Sequence, residues 1–407
     1  MNSPFRLAVA AHFVHAGQVG GAEHMLYNLL RGLWQQDTQL EILVGDRARL
    51  DPGFRAEIAA EGPRVRLTEA GGTGVRFLAE QRAVFSGAKW SGIEADATLF
   101  PNYYVPPLLP RRLGRIVCVL HDLQYRHFSM NFSARKRAWL RMAHAFAVRR
   151  CDRLVVISEF VRQDALRFLG AQFEHKIVVV PNPISWDRFG TGGTAPPGPP
   201  RILTVAAHYA HKNLPTLIRG FALLARRRPD ATLVLCGQDY AGLRGVSGQG
   251  TSLFALAASL GIADQVEITG YLDDQALGDQ FRRATLFAFP SIFEGFGMPP
   301  VEALGFGLPT LTTACTALPE VTLGLAQMVD DPHNPAEWAD KLGAMLANPA
   351  AYRPSSGDVS RLRAHYAPAR IAQLHLNACR DNRDDPAPVP GPAHWRATTL
   401  LGPPSIR

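Results

Sequence analysis

Lysine is scarce in this 407-residue chain. Only Lys89, Lys136, Lys176, Lys212 and Lys341 carry an ammonium among 43 basic residues, and arginine supplies the rest. Cysteine is scarce too. Cys118, Cys151, Cys236, Cys315 and Cys379 lie far apart, are odd in number and include no Cys-x-x-Cys pair. That excludes a zinc knuckle and a disulfide framework and implies a reducing compartment, the cytoplasm. No apolar run has the length of a membrane span. The apolar stretch from Arg6 is short and interrupted by His12 and His15, so it reads as a first buried strand rather than a signal peptide. The chain also lacks GxxxxGK[ST], a GxGxxG after its first strand, GxSxG and HExxH, which removes the P-loop, the dinucleotide fingerprint, the nucleophile elbow and the zincin helix.

What is present is ample apolar material: 47% hydrophobic and 19% charged residues, enough for two buried cores. The net charge of +8 is unevenly spread. Residues 1–190 hold 25 basic and 17 acidic side chains, whereas residues 191–407 hold 18 of each. Residues 111–153 alone carry eleven basic residues against Asp122 and Asp152. Such a patch attracts polyanions. No nucleic-acid module is recognisable, which leaves acidic lipid head groups or a phosphorylated substrate. Residues 134–150 predict a helix, with Trp139, Met142, Ala143 and Phe146 on one stripe and Arg137, Arg141 and His144 elsewhere on the wheel. One reading packs that stripe on the core. The other lays a basic amphipathic face on an anionic membrane, with Arg111, Arg112, Arg115 and Arg126 nearby.

Strand-like and helix-like runs alternate along the chain. Phe5–Ala11, Glu41–Val44, Ala97–Phe100, Ile116–Leu120, Arg153–Ile157 and Lys176–Val180 read as strands, with amphipathic helices such as Glu23–Trp34 between them. After the Gly-Pro-rich stretch 190–200 the alternation restarts with Arg201–Ala206, Ala231–Cys236, Gln265–Thr269, Leu286–Phe289 and Thr310–Thr313, and with helices at Leu214–Arg226 and Pro299–Phe306. The expected fold class is α/β: two Rossmann-like, doubly wound parallel-sheet domains, residues 1–189 and 201–380, facing across a cleft. The last helix is expected to pack back on the first domain. Residues 381–407, with six prolines and two acidic clusters, read as a disordered tail.

The densest chemistry lies in Phe287–Leu304. A buried strand ends at Pro290, and Gly295 and Gly297 permit close backbone approach to a ligand. Pro299 and Pro300 suit a helix's first turn, so free amides converge as an anion site. Glu294 precedes these donors and Glu302 lies on the helix. This segment resembles family 4 retaining glycosyltransferases, which have the GT-B fold: Glu294 and Glu302 match the family's E-x7-E motif within Glu-Gly-Phe-Gly-Met-Pro-Pro-Val-Glu-Ala-Leu, and Leu318-Pro-Glu-Val321 follows where the family has a similar segment. The resemblance covers about residues 5 to 380.

The resemblance implies that Glu294 lies against a donor sugar and Glu302 binds a ribose, with Gly295, Phe296, Gly297 and Met298 lining the donor. Gly20 and Gly21 match the family's first-domain glycine loop beside the donor phosphates, although a strand–helix turn explains the pair alone. His121, in Val-Leu-His-Asp-Leu, matches an HD-L signature whose histidine approaches the sugar, and Asp122 either orients it or caps the next turn. Lys212 matches the lysine that grips the diphosphate, as a compact ammonium does well. The arginine that commonly precedes that lysine is missing; Ala206 and Ala207 stand there, and His208 or His211 is the candidate substitute.

No Asp-x-Asp occurs in the chain, so the expectation is a donor diphosphate neutralised by helix ends and cations without metal or other cofactor. The expected activity is hexose transfer, with mannose from GDP-mannose to a lipid-linked or saccharide acceptor in bacterial surface polysaccharide synthesis. Two alternatives stand beside it: a sugar-nucleotide epimerase or hydrolase on the same fold, and a non-catalytic scaffold of a polysaccharide assembly complex. The expected location is cytoplasmic, with peripheral membrane contact through residues 111–153.

Overall fold

In a computed structural model, the chain is described over residues 4–11, 14, 21–45, 48, 50–69, 92–103, 105, 111–191, 198–237 and 252–380. Gly20, most of the Gly-Pro stretch and the 381–407 tail lie outside the described residues. The chain divides into two units, one running to Ile184 and resuming at Tyr366, the other spanning Ser185–His365.

The first unit holds an all-parallel sheet of β1 (Phe5–Ala10), β2 (Thr38–Val44), β3 (Val65–Glu69), β4 (Ala97–Phe100), β5 (Arg115–Leu120), β6 (Arg153–Val156) and β7 (Ile177–Val179). Their spatial order is β3-β2-β1-β4-β5-β6-β7. Strands such as Arg-Ile-Val-Cys-Val-Leu in β5 are buried on both faces, which is what helices packed on both sides of a parallel sheet require. Its helices include α1 (Gly21–Trp34) and α2 (Ala134–Arg150).

The second unit repeats the plan with β8 (Arg201–Val205), β9 (Thr232–Cys236), β10 (Val266–Gly270), β11 (Leu286–Phe289), β12 (Thr310–Thr313) and β13 (Gln327–Val329), in the order β10-β9-β8-β11-β12-β13. Its helices include α3 (Leu214–Ala225), α4 (Asp274–Arg283) and α5 (Met298–Gly305). The last helix, α6 (Pro368–Arg380), packs in the first unit, and so tightly on α1 that a Cβ at Gly32 would come within 2.1 Å of the Pro368 carbonyl oxygen.

Two expectations change. The unit boundary falls at Ile184, ahead of the Gly-Pro stretch, so residues 185–189 fold with the second unit. Phe189 anchors them there, its ring edge-on to Phe281 at 5.5 Å and Phe306 at 5.3 Å. Helix α2 also departs from the first of its two readings, since the Trp139, Met142, Ala143 and Phe146 stripe is not what packs on the core. Leu140, His144, Ala147 and Val148 face inward, while Met142 is 65% and Phe146 37% exposed. Both stripes satisfy the helical period; tertiary packing chose the one in which the His144 ring fits against Tyr103 (4.0 Å between centroids) and Tyr125 (5.4 Å).

Candidate active site

In the second unit β8 and β11 are neighbours, and the strand order reverses between them: β9 and β10 lie beyond β8, β12 and β13 beyond β11. Ligands bind α/β sheets at the carboxyl ends of strands at such a switch point. Both candidate chains leave from there. The segment after β8 forms a short turn, Ala210–Lys212, closed by Asn213 in the left-handed region at φ 54°. The segment after β11 carries Glu294. Lys212 Nζ lies 2.5 Å from Glu294 Oε1, with the two side chains 17% and 13% exposed. The ammonium also lies 5.6 Å from the Phe289 ring centroid. A lysine has three N–H donors, so one bond to Glu294 leaves two for phosphate oxygens.

The backbone fixes Glu294. Its N–H donates to Thr316 Oγ1 at 2.9 Å. Thr316 has a positive φ of 51° and is a residue that the motif alone did not single out. Gly297 caps α5 at φ 94°, a region that L side chains rarely occupy, and a Cβ there would meet Leu318 Cδ2 at 2.6 Å. Leu318 begins the Leu-Pro-Glu-Val segment noted in the sequence, and its side chain is part of why position 297 is glycine. The start of α5 is a poorer amide cluster than expected. Proline has no N–H, so Pro299 and Pro300 remove two of the helix's free donors and leave Gly297 and Met298 to supply that end. Gly295 and Phe296 lie in the same loop, with Phe296 buried.

His211 does not replace the missing arginine's charge. Burial, and then the neighbouring Lys212 ammonium, lower its pKa to about 4 against the opposing pull of Glu294, so it is neutral at pH 7. Its ring stacks on Tyr209 at 5.7 Å. His208 is half-buried in the same segment after β8.

Glu302 lies on α5, 3% exposed, and its Oε1 accepts from Arg188 at 2.7 Å. Arg188 was not legible as a site residue, being 114 positions away.

In the first unit, His121 follows β5 and Gly21 follows β1. His121 Nε2 donates to the Pro101 carbonyl at 2.7 Å, just past β4. A carbonyl only accepts, so the proton sits on Nε2 and Nδ1 is the acceptor. Burial lowers the His121 pKa and favours this neutral form. Asp122 caps the next turn, its Oδ1 accepting from the Gln124 N–H at 2.9 Å. Gly21 starts α1, and a Cβ there would meet nothing within 4 Å, so local packing does not require glycine. Ser158, after β6, is a helix cap, its Oγ accepting from the Val161 N–H at 3.2 Å.

Residues 19–188 match the family model described as Glycosyltransferase Family 4, and residues 192–357 match the one described as Glycosyl transferases group 1. Mannosylfructose-phosphate synthase of Agrobacterium fabrum is 31% identical over 185 residues, 44% of this chain but only 38% of that protein's length. The D-inositol 3-phosphate glycosyltransferase of Corynebacterium jeikeium is 24% identical over 398 residues, 89% of this chain and 90% of the relative. Among solved structures, HepE of Anabaena, in complex with UDP and glucose, superposes with a TM-score of 0.68 at 16% identity, covering 93% of this chain and all of that one.

Proposed function

Since the chain belongs to the family 4 glycosyltransferases, we propose that it transfers a hexose from a nucleoside-diphosphate sugar to an acceptor hydroxyl with retention of configuration. The observation that carries this reading is the Lys212–Glu294 pair at the switch point of the second sheet, beside the α5 start and Glu302. As the bond between the sugar's anomeric carbon and the diphosphate breaks, charge builds on the phosphate oxygens. Lys212 and the Gly297 and Met298 amides offset it, a preorganised electrostatic contribution of the kind that dominates many enzymes. Glu294 faces the sugar and balances its growing positive charge; Glu302 holds the ribose. The acceptor oxygen attacks from the face the diphosphate leaves, and its proton passes to the departing phosphate. His121, neutral and with Nδ1 as acceptor, takes a hydrogen bond from a sugar or acceptor hydroxyl. Neutralisation of the diphosphate falls to these groups, without a metal.

The donor is read as GDP-mannose, which the wording of the 294–304 motif supports and which agrees with one relative's mannosyl name. The acceptor is read as lipid-linked, within bacterial surface polysaccharide synthesis. The α2 region supports that: Met130 (81% exposed), Met142 and Phe146 stand out among exposed Arg135, Lys136, Arg141, Arg149 and Arg150, an apolar-and-basic surface suited to an anionic bilayer. Among the described residues no helix is long and apolar enough to cross a membrane.

The test is turnover of UDP-, GDP- and ADP-hexoses with a lipid-linked acceptor, with the product anomer read by NMR. The reading expects one donor class to react with retention and Glu294→Ala to be inactive. Inversion would overturn the mechanism, and free epimerised sugar without acceptor would favour an epimerase.

A further inference from the structure

We propose that Arg188 is the positioning residue for the nucleoside end of the donor site: it holds one oxygen of Glu302 and thereby turns the other toward the hydroxyls of a ribose. This rests on the reading of Glu302 as the ribose carboxylate.

The geometry is specific. One Arg188 nitrogen donates to Glu302 Oε1 at 2.7 Å, and the two side chains are 7% and 3% exposed. The other terminal nitrogen bonds Asp274, the first residue of α4. The guanidinium carbon lies 4.1 Å from the Phe189 ring centroid. A planar fork held between two carboxylates over an aromatic ring has little freedom left, so the carboxylate it binds is fixed with it. Glu302 Oε2 has no hydrogen-bond partner among the described residues and remains an acceptor for a hydroxyl.

The same short segment grips the helix a second time. Trp186 Nε1 donates to the Glu302 backbone carbonyl at 3.1 Å. The indole lies so close to α5 that a Cβ at Gly305 would come within 2.0 Å of Nε1. Trp186 thus fixes the main chain of Glu302 and Arg188 fixes its side chain, and the two anchors lie two residues apart. A surface ion pair would not need this burial or this second anchor. A buried carboxylate with one oxygen held and one left over is what recognition of a hydroxyl group requires.

The experiment is calorimetric binding of GDP and UDP, each compared with its 2′,3′-dideoxy form, to wild type, Arg188→Lys and Glu302→Gln, with thermal unfolding as a check on folding. Lysine keeps the charge but loses the fork, so it separates aim from charge. The wild type is expected to prefer the ribose form. Arg188→Lys is expected to lose about tenfold or more in affinity for the ribose form, with the dideoxy form unaffected. An equal loss on both forms makes Arg188 a packing residue and overturns the proposal, as does an undiminished ribose preference in Arg188→Lys. A wild type that binds both forms equally, with Glu302→Gln the same, overturns the ribose reading of Glu302 itself and takes this inference with it.

Discussion

Replacing Lys212 with methionine removes the ammonium and keeps the length of the side chain. In the structure that ammonium makes one bond to Glu294, at 2.5 Å, and has two donors left. Charge-assisted hydrogen bonds of this kind contribute about 1.5–3 kcal/mol each. If both remaining donors meet phosphate oxygens whose charge grows in the transition state, about 3–6 kcal/mol is lost at that point, or roughly 10²–10⁴ in kcat, at or above the range for removing one oxyanion donor. The loss falls on kcat more than on KM, because the diphosphate gains charge only as it leaves. The assay is steady-state kinetics with the preferred nucleotide sugar, beside Glu294→Gln and the double variant. Groups that act as a unit give non-additive losses, so the double variant should be little slower than the worse single one. Lys212→Met within fivefold of wild type would show that Lys212 does not stabilise the departing diphosphate, and strictly additive losses would show that Lys212 and Glu294 do not act as a unit.

Other outcomes follow from the same structure. Gly297→Ala forces φ 94° on an L residue and drives a Cβ into Leu318, so it should lower the second unit's stability by about 1–3 kcal/mol in urea unfolding, with part of the loss recovered by Leu318→Ala. Burial lowers His144 and His375 to pKa values of about 4. Below pH 6.5 the unfolded chain takes up protons that these folded histidines refuse, so stability is full above pH 6.5 and falls as pH drops toward 4, by about 3 kcal/mol per histidine at most. His144→Phe keeps the ring and should flatten that dependence, as denaturant midpoints at pH 7 and pH 5 would show. Liposomes with acidic lipids should bind the protein at low salt, and Met142→Glu with Phe146→Glu should weaken binding; equal binding to neutral liposomes would contradict the electrostatic part. Turnover should persist in excess EDTA.

Much of this was legible in the chain because it rests on local pattern. The alternation of apolar runs and amphipathic helices yields both parallel sheets, and Glu294, Gly297 and Glu302 stand together in the segment that resembles family 4 glycosyltransferases. What escaped depends on partners distant in sequence. The edge strand β3 and the three-residue β13 are only partly buried and carry Arg66, Thr68 and Gln327 among their few residues, too polar and short to stand out. The face of α2 was decided by Tyr103 and Tyr125 on other segments. Arg188 has no local signature, since its meaning comes from Glu302 and Asp274 far along the chain. The thin amide cluster at α5 is legible in the chain, because Pro299 and Pro300 stand in the motif itself and have no N–H.

If the carboxyl ends of β8 and β11 form the donor site, a crystal structure with the preferred nucleoside diphosphate bound will place a phosphate oxygen about 3 Å from Lys212 Nζ and a ribose hydroxyl on Glu302. A nucleotide seated away from Lys212 and Glu302 would rule this donor site out.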